Sequence, residues 1–281
     1  MKILPPHSPQ ETIFFLRKFS GLNQIEMAKK LNITQGWLSK IESGLGDAGI
    51  EQLILIRKNF GISADDFLDG KVNYLEIQKN FDHTIRMHSM FQSHRKTQAQ
   101  IMYGLIDLMI SKKGKPWVQN QFKKIRFPLF TFSNPNFLIN PTLIESLLDL
   151  ADQAGITQPK RVSALVDFLF KFTFHFSSET ESNQLSTFFD HSSHAIHKLD
   201  SLDGFSKSNL EKSNSKDEFS LSIRTPPSVL SEPVLTLFWK LRLSALKKIA
   251  SKTLKKSTSL QIDELSSDSA TSEKKAVLKL T

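Results

Sequence analysis

The sequence contains no cysteine. That absence excludes a disulfide framework, a thiolate metal site and a cysteine nucleophile. Long apolar runs are missing too: no stretch of 18 apolar residues occurs, so no integral membrane segment is predicted. The N-terminal stretch MKILPPHSPQE holds three prolines and lacks the apolar core of a signal peptide. Together these absences favour a cytoplasmic protein.

Catalytic motifs are scarce as well. The sequence has no glycine-rich phosphate loop and no paired-carboxylate motif, so we expect neither an enzyme nor a bound cofactor. His191, His194 and His197 are spaced three apart. Without cysteine or a supporting carboxylate pattern, we predict no metal site there.

Basic residues are plentiful but unevenly distributed. The 281 residues carry a net charge of +9. Residues 1–70 are neutral, whereas residues 71–130 hold 11 basic and 3 acidic side chains, a net +8. Residues 234–281 carry a further net +6. Basic blocks suit phosphate backbones or anionic membrane surfaces, and the alternative interpretation is a set of solvated helix faces.

Five short helices are predicted in residues 8–70. Residues that favour helix starts precede four of them: Ser8, Asn23, Thr34 and Ser63. A fourth helix is expected from about Ile50 to Phe60. Each helix has one apolar stripe, so the five need one another to form a core. A very tight turn joins the second and third helices, the geometry of a helix-turn-helix, in which the second helix enters the DNA major groove.

These residues carry a family resemblance. The stretch from Ile13 to Gly70 resembles the Cro/C1-type (XRE family) helix-turn-helix domain of phage repressors and bacterial regulators. The resemblance rests on NQIEMAKKLNIT, WLSKIESG and LILIRKNFGISADDFL. It implies a five-helix, lambda-repressor-like fold over residues 8–70 and a structural ion pair between Arg17 and Glu42. Asn32 replaces a frequent glycine of the family, and Gly49 replaces a frequent proline.

The resemblance also implies which residues contact DNA. Gln35 opens the third helix and could bind adenine through two hydrogen bonds. Ser39 and Lys40 lie one turn further on, and Asn23, Gln24 and Thr34 suit phosphates. The predicted DNA-binding residues are therefore Asn23, Gln24, Thr34, Gln35, Gly36, Trp37, Ser39 and Lys40.

Gly36 and Trp37 are an unusual pair for an exposed helix, because glycine weakens a helix by about 1 kcal/mol relative to alanine. We interpret the glycine as space that lets the helix sit deep in the groove. Trp37 would then lie against a sugar or a thymine methyl group. The alternative is that Trp37 packs beneath the following loop.

The remaining chain is predicted to be mainly α. Residues 71–176 are expected to form a mostly helical dimerisation or regulatory region, with a helix over 72–111, an edge strand in 122–141 and a helical hairpin over 142–172. The strand and hairpin faintly resemble a ribbon-helix-helix unit, but a plain helical domain is preferred. We predict a disordered Ser-rich linker over 177–233, a basic amphipathic helix over 234–257 and a flexible tail over 258–281. Docking of that basic helix on the core, or its self-association, is preferred to contact with a membrane or nucleic acid.

We therefore predict a sequence-specific, DNA-binding transcriptional regulator. It is expected to be a repressor that binds double-stranded DNA as a homodimer through its third helix. Residues 71–176 would receive an effector or a protein partner. The alternative function is that of an adaptor or antitoxin-like protein, whose helical domains bind a partner protein.

Overall fold

The computed structural model describes residues 8–172, 184–212, 218–224, 230–253, 260–268 and 273–280. These residues are mainly helical, as predicted. The chain divides into two compact units, Met1–Ser89 with Gly114–Phe137, and Met90–Lys113 with Leu138–Thr281. None of the helices in the described ranges is both long enough and apolar enough to cross a membrane.

Twelve α-helices and six strands occur in the described ranges. The helices are α1 (Pro9–Phe19), α2 (Gln24–Lys30), α3 (Gln35–Glu42), α4 (Ile50–Phe60), α5 (Ala64–Leu68), α6 (Tyr74–Asn80), α7 (Tyr103–Lys113), α8 (Lys115–Lys124), α9 (Pro141–Gln153), α10 (Gln158–Phe172), α11 (Gln184–Asp203) and α12 (Glu232–Thr253). The strands are β1 (Thr97–Gln98), β2 (Leu138–Ile139), β3 (Lys207–Lys212), β4 (Glu218–Arg224), β5 (Leu260–Asp268) and β6 (Glu273–Leu280).

The five predicted N-terminal helices are present, and local hydrogen bonds start them. The side chains of Ser8, Asn23, Thr34 and Ser63 each accept a hydrogen bond from a backbone N–H in the first turn of α1, α2, α3 and α5. Each such bond satisfies a donor that a helix start otherwise leaves unpaired. The helix boundaries here therefore follow from side chains adjacent in sequence.

The first unit extends past the predicted boundary at residue 70. Tyr74 of α6 is buried and stacks on Phe19 of α1, with ring centroids 4.9 Å apart. Phe130 meets the same Phe19 ring edge-on at 5.4 Å. Residues beyond 70 thus complete the packing of α1.

Two predicted elements of residues 71–176 are corrected. The helix expected over 72–111 is two helices, α6 and α7, and the backbone between them takes positive φ at Asp82 and His94. The edge strand expected in 122–141 is reduced to β2. Much of that segment packs instead as an aromatic cluster, in which the Phe132 ring lies 5.7 Å from Phe122 and 5.9 Å from Phe127. The predicted hairpin is present as α9 and α10.

The second unit has a helical core of α7, α10, α11 and α12. Gly104 of α7 lies directly against the α10 backbone, where an added Cβ would come within 2.2 Å of the Ala164 carbonyl oxygen. Only glycine permits this approach without a shift of one helix. The predicted basic helix is α12, and its Phe238, Trp239 and Leu246 are buried, in agreement with the preferred docking interpretation.

A four-stranded antiparallel sheet completes the second unit, with strand order β3-β4-β6-β5. Phe219, Leu221 and Ile223 alternate along β4 and are buried on one face. Leu221 is paired with Ala276 of β6, and Phe219 with Leu278. The α11 rings of Phe188 and Phe189 lie 5.8 and 5.7 Å from the Phe219 ring, so α11 covers this face.

The structure corrects the predicted linker and tail. The range 177–233 contains α11, β3 and β4, and the range 258–281 contains β5 and β6. Serine-rich composition suggested disorder, but Ala195, Ile196 and Leu199 form a buried stripe on α11. Strand β4 also shows the polar–apolar alternation of a half-buried strand. Residues 173–183, 213–217, 225–229, 254–259 and 269–272 lie outside the described residues.

A buried arginine joins three elements of the second unit. Arg242 of α12 is 1% exposed. Its guanidinium donates to Asp200 Oδ1 at 2.6 Å and to Ser208 Oγ at 2.9 Å, and it also binds Asp203. These partners come from α11 and the start of β3. A buried charge is tolerated when it is paired and hydrogen-bonded in this way.

Candidate nucleic-acid interface

The turn between α2 and α3 is built from short-range signals. Asn23 and Glu26 form a reciprocal capping box at the start of α2. Asn32 takes a left-handed conformation with φ of 52°, which asparagine tolerates better than most residues. Two residues later Thr34 accepts a hydrogen bond from the Trp37 N–H at 3.1 Å and starts α3. The chain therefore turns sharply between two helices.

Buried apolar residues fix α3 against the helices behind it. Leu38 and Ile41 of α3 and Met27 of α2 are fully buried, and Ala28 is almost so. The small Ala28 side chain permits a close helix–helix approach. Because Leu38 and Ile41 face the core, the opposite side of α3 faces solvent.

Arg17 and Glu42 form the predicted ion pair. Arg17 Nε lies 2.6 Å from Glu42 Oε1, and Arg17 Nη2 lies 2.8 Å from Glu42 Oε2. The two side chains are only 7% and 5% exposed. This bidentate geometry is the strong form of an arginine–carboxylate contact, and it ties the end of α3 to α1.

The same carboxylate starts a chain of glutamines. Gln24 Nε2 donates to Glu42 Oε2 at 3.0 Å, and Gln35 Nε2 donates to Gln24 Oε1 at 2.8 Å. Because an ionised carboxylate only accepts, Gln24 must present its NH₂ group to Glu42 and its carbonyl oxygen to Gln35. The polarity of both amides is thereby set by the buried ion pair.

Gln35 keeps one N–H and its carbonyl oxygen for another partner. A primary amide has two donors and one acceptor group, and Gln24 takes one donor. Gln35 is exposed at the start of α3. The remaining donor and acceptor match N7 and the N6 amino group of adenine in the major groove. The arrangement can therefore present a preoriented amide to a base edge.

Gly36 and Trp37 lie beside Gln35 in the first turn of α3. A Cβ added to Gly36 would meet nothing within 4 Å, so packing within the domain does not require glycine. Trp37 is 41% exposed, which excludes a core position. Its Cη2 atom would lie 3.5 Å from a Cβ at Gly46, so the far edge of the ring rests near the following loop. This position agrees in part with the alternative that Trp37 packs beneath the following loop.

Lys40 lies one turn along the same surface. Its Nζ is 5.9 Å from the Trp37 ring centroid, within the range of a cation–π contact. Ser39 and Lys40 are both exposed. An apolar ring and a cation therefore lie side by side on this exposed surface.

A surface depression of ≈ 500 Å³ adjoins the glutamines. Arg17, Lys18, Asn23, Gln24 and Gln35 contribute to its lining. Partial burial, followed by the neighbouring charge of Arg17, lowers the pKa of Lys18, while Glu42 opposes the shift. Lys18 forms no ion pair with a described carboxylate. Arg17 and Lys18 therefore bring two cations to the lining of this depression.

The structure places all eight predicted residues on one region around α2 and α3. Seven are exposed, and Gln24 is half-buried. Direct hydrogen bonds join Gln24 to Gln35 and Thr34 to the Trp37 backbone. Lys18, in the last turn of α1, also lines the adjoining depression and was not among the predicted residues.

Comparison with protein families agrees with this geometry. Residues 15–67 match the family model described as Helix-turn-helix. This segment is a helix-turn-helix domain. It confirms the resemblance found in the sequence and supports a DNA-binding regulator. No curated protein matches the chain.

Several solved structures are similar at low level. A variant of Tt H-NOX has a TM-score of 0.45 and 10% identity, covering 66% of this chain and 95% of that chain. A mutant of T. tengcongensis H-NOX has a TM-score of 0.46 and 10% identity, covering 66% and 98%. Fe(II) unliganded H-NOX from K. algicida has a TM-score of 0.43 and 11% identity, covering 66% and 97%. Similarity at this level establishes no function for this chain.

Proposed function

We propose that this chain is a cytoplasmic, sequence-specific transcriptional repressor that binds DNA as a homodimer. The observation that carries the proposal is the hydrogen-bonded series from Arg17 through Glu42 and Gln24 to Gln35. A buried ion pair costs desolvation, and here it holds an exposed amide in a fixed orientation. In a helix-turn-helix that amide lies where α3 meets base edges. The repressor role follows the resemblance to Cro/C1-type repressors.

In vitro selection of DNA by the full chain tests the function. We expect an enriched motif that contains an A·T pair read by Gln35. Gln35→Ala should weaken binding to the selected site about tenfold and relax the preference at that pair, because one bidentate contact is lost. Binding to random DNA should stay the same, since phosphate contacts remain. Selection of no motif, together with recovery of a protein partner from nuclease-treated lysate, would favour the adaptor or antitoxin-like alternative.

An apolar surface supports the homodimer. Ile50 and Ile54 lie one turn apart on α4 and are 77% and 60% exposed, and Leu45 just before α4 is 80% exposed. Residues spaced by four share one helix face. Two exposed isoleucines on one helix face favour burial against another protein surface. A second copy is the occupant that a two-fold operator needs.

Charge on that surface should therefore dissociate the dimer. We expect Ile50→Glu with Ile54→Glu to shift sedimentation velocity towards the monomer and to weaken operator binding at least tenfold. Leu68→Glu is the control, because Leu68 is also exposed, at 52%, but belongs to α5. A double variant that stays dimeric would place the interface elsewhere.

Exposed cations outside the helix-turn-helix are expected to add non-specific affinity. Residues 8–70 contribute little net charge, whereas Lys123, Lys124 and Arg126 of the first unit are exposed and form no ion pair with a described residue. Each phosphate contact contributes about 0.9 to the slope of log K against log salt. Changing all three to glutamine should make that negative slope shallower by about 2 to 3.

The slope is measured by fluorescence anisotropy with random duplex DNA over a salt series. Charge neutralisation is preferable to a deletion after Gly70, because deletion would remove Tyr74 from its packing on α1. An unchanged slope would show that these three cations do not contact phosphates.

A further inference from the structure

A cleft in the second unit lies outside the helix-turn-helix domain. It lies between α10 and α12 and has a volume of ≈ 530 Å³, within the usual range for small-molecule sites. On α12 its lining residues recur at intervals of three and four, which places them on one helix face. The cleft is therefore formed by two facing helical stripes.

The floor of the cleft is apolar. Val162 and Val166 of α10 and Leu243 of α12 contribute to its lining. Each of the three is less than a tenth exposed. Such a floor favours the apolar part of a ligand, because its contact surface would leave water.

The rim of the cleft is positively charged. Lys240, Lys247 and Lys248 line it, against one carboxylate, Asp167. Lys248 pairs with Asp167, while Lys240 Nζ donates to the neutral Gln158 Oε1 at 3.0 Å. Lys247 is exposed and has no hydrogen bond or ion pair among the described residues. Two of the three cations thus lack a counter-charge.

We propose that this cleft binds an amphipathic organic anion, a small molecule with one anionic group joined to an apolar body. Lys240 and Lys247 would bind the anionic group, and the two valines and Leu243 would contact the apolar body. Lysine is a flexible point charge that accepts either a carboxylate or a phosphate, so the shared feature is the negative charge. The proposal does not depend on the DNA-binding function.

Isothermal titration of the full chain, without DNA, provides the test. The probe is sodium decanoate, compared with neutral decanol, with acetate and with decyl phosphate. We expect decanoate and decyl phosphate to bind, decanol to bind at least tenfold more weakly, and acetate to give no measurable heat. Equal binding of decanol and decanoate would overturn the assignment of the lysines.

Variants locate the site. Lys240→Gln with Lys247→Gln should weaken decanoate binding at least tenfold, and Ser244→Trp should abolish it by filling the cleft. Ser163→Trp fills the cleft from α10 and serves if the first tryptophan variant fails to fold by circular dichroism. Lys252→Gln is the matched control, since Lys252 lies on α12 outside the lining, and it should bind normally. Unchanged binding in the double lysine variant or in a folded tryptophan variant would overturn the proposal.

Discussion

Replacing Glu42 by alanine is expected to lower the free energy of unfolding of the helix-turn-helix domain by about 3–5 kcal/mol, the range seen when one partner of a buried ion pair is removed. The Arg17 side chain is only 7% exposed in the wild type, and the variant removes the carboxylate that pairs with it. Its burial would then be uncompensated, and α3 would lose its tie to α1. The loss should appear as faster hydrogen exchange of α1 and α3 in the full chain and as a lower thermal midpoint.

Matched variants separate the buried charge from a general effect of mutation. Glu51→Ala is the control, because Glu51 is an exposed glutamate on α4 and should change stability little. Arg17→Met combined with Glu42→Leu should recover most of the lost stability, since a buried ion pair can often be replaced by apolar side chains of similar size. If Glu42→Ala leaves exchange and midpoint unchanged, the pair does not stabilise the domain.

The recovered double variant has a further use. It should restore the fold but not the orientation of Gln24, because leucine cannot accept the hydrogen bond that Gln24 donates to Glu42. Operator binding should therefore remain weaker than in the wild type while stability returns. A double variant with wild-type operator affinity would show that the glutamine orientation is unimportant for recognition.

Gly36→Gln and Trp37→Ala are each expected to weaken operator binding by about 1–3 kcal/mol, the scale of one lost base contact. Gly36→Gln adds a side chain where α3 would approach the bases, and Trp37→Ala removes an apolar contact. Competition binding against the selected operator measures the loss. Binding to random DNA should barely change for either variant.

The stability of the free protein distinguishes a role at DNA from a structural role. Open space surrounds Gly36, so glutamine there should raise the stability of the free domain by up to about 1 kcal/mol through helix propensity. Gly36→Ala should give a similar stability gain with a smaller loss of operator affinity, because the side chain is shorter. A gain in the stability of the free domain together with a loss of operator affinity would identify Gly36 as a recognition residue.

Trp37 requires its own control because its ring edge lies near Gly46. Leu68→Ala truncates another exposed apolar residue, on α5, and should leave operator binding unchanged. Trp37→Ala should leave the domain folded, since the ring is 41% exposed. If Trp37→Ala unfolds the domain, the tryptophan is a structural residue and its proposed DNA contact is wrong.

Local sequence accounts for the helices of the first seventy residues. The capping side chains accept hydrogen bonds from backbone groups three residues away; they are Ser8, Asn23, Thr34 and Ser63. Their effect is local, so it can be predicted from adjacent residues in the sequence. The Arg17–Glu42 pair is not local, since 25 residues separate its members. It was predictable only because a family resemblance implied it.

The hydrogen-bonded series and the exposed surfaces depend on the tertiary fold. The contact between Gln24 and Gln35 depends on the angle between α2 and α3, and that angle is fixed by burial of Leu38 and Ile41. The same holds for Ile50 and Ile54, whose exposure depends on which face of α4 meets the core. A helical pattern predicts that one face is buried, but not which apolar side chains remain outside.

The sheet of the second unit shows the limit of sequence reasoning most clearly. Its strands β4 and β6 are neighbours in space but about fifty residues apart in sequence. Strand pairing is stabilised by cross-strand contacts between such distant segments, so no local signal fixes it. Arg242 likewise looked like one cation of a basic amphipathic helix. Its burial with Asp200 and Asp203 follows from the packing of α12 against α11, because a buried guanidinium is stable only where the fold supplies its partners.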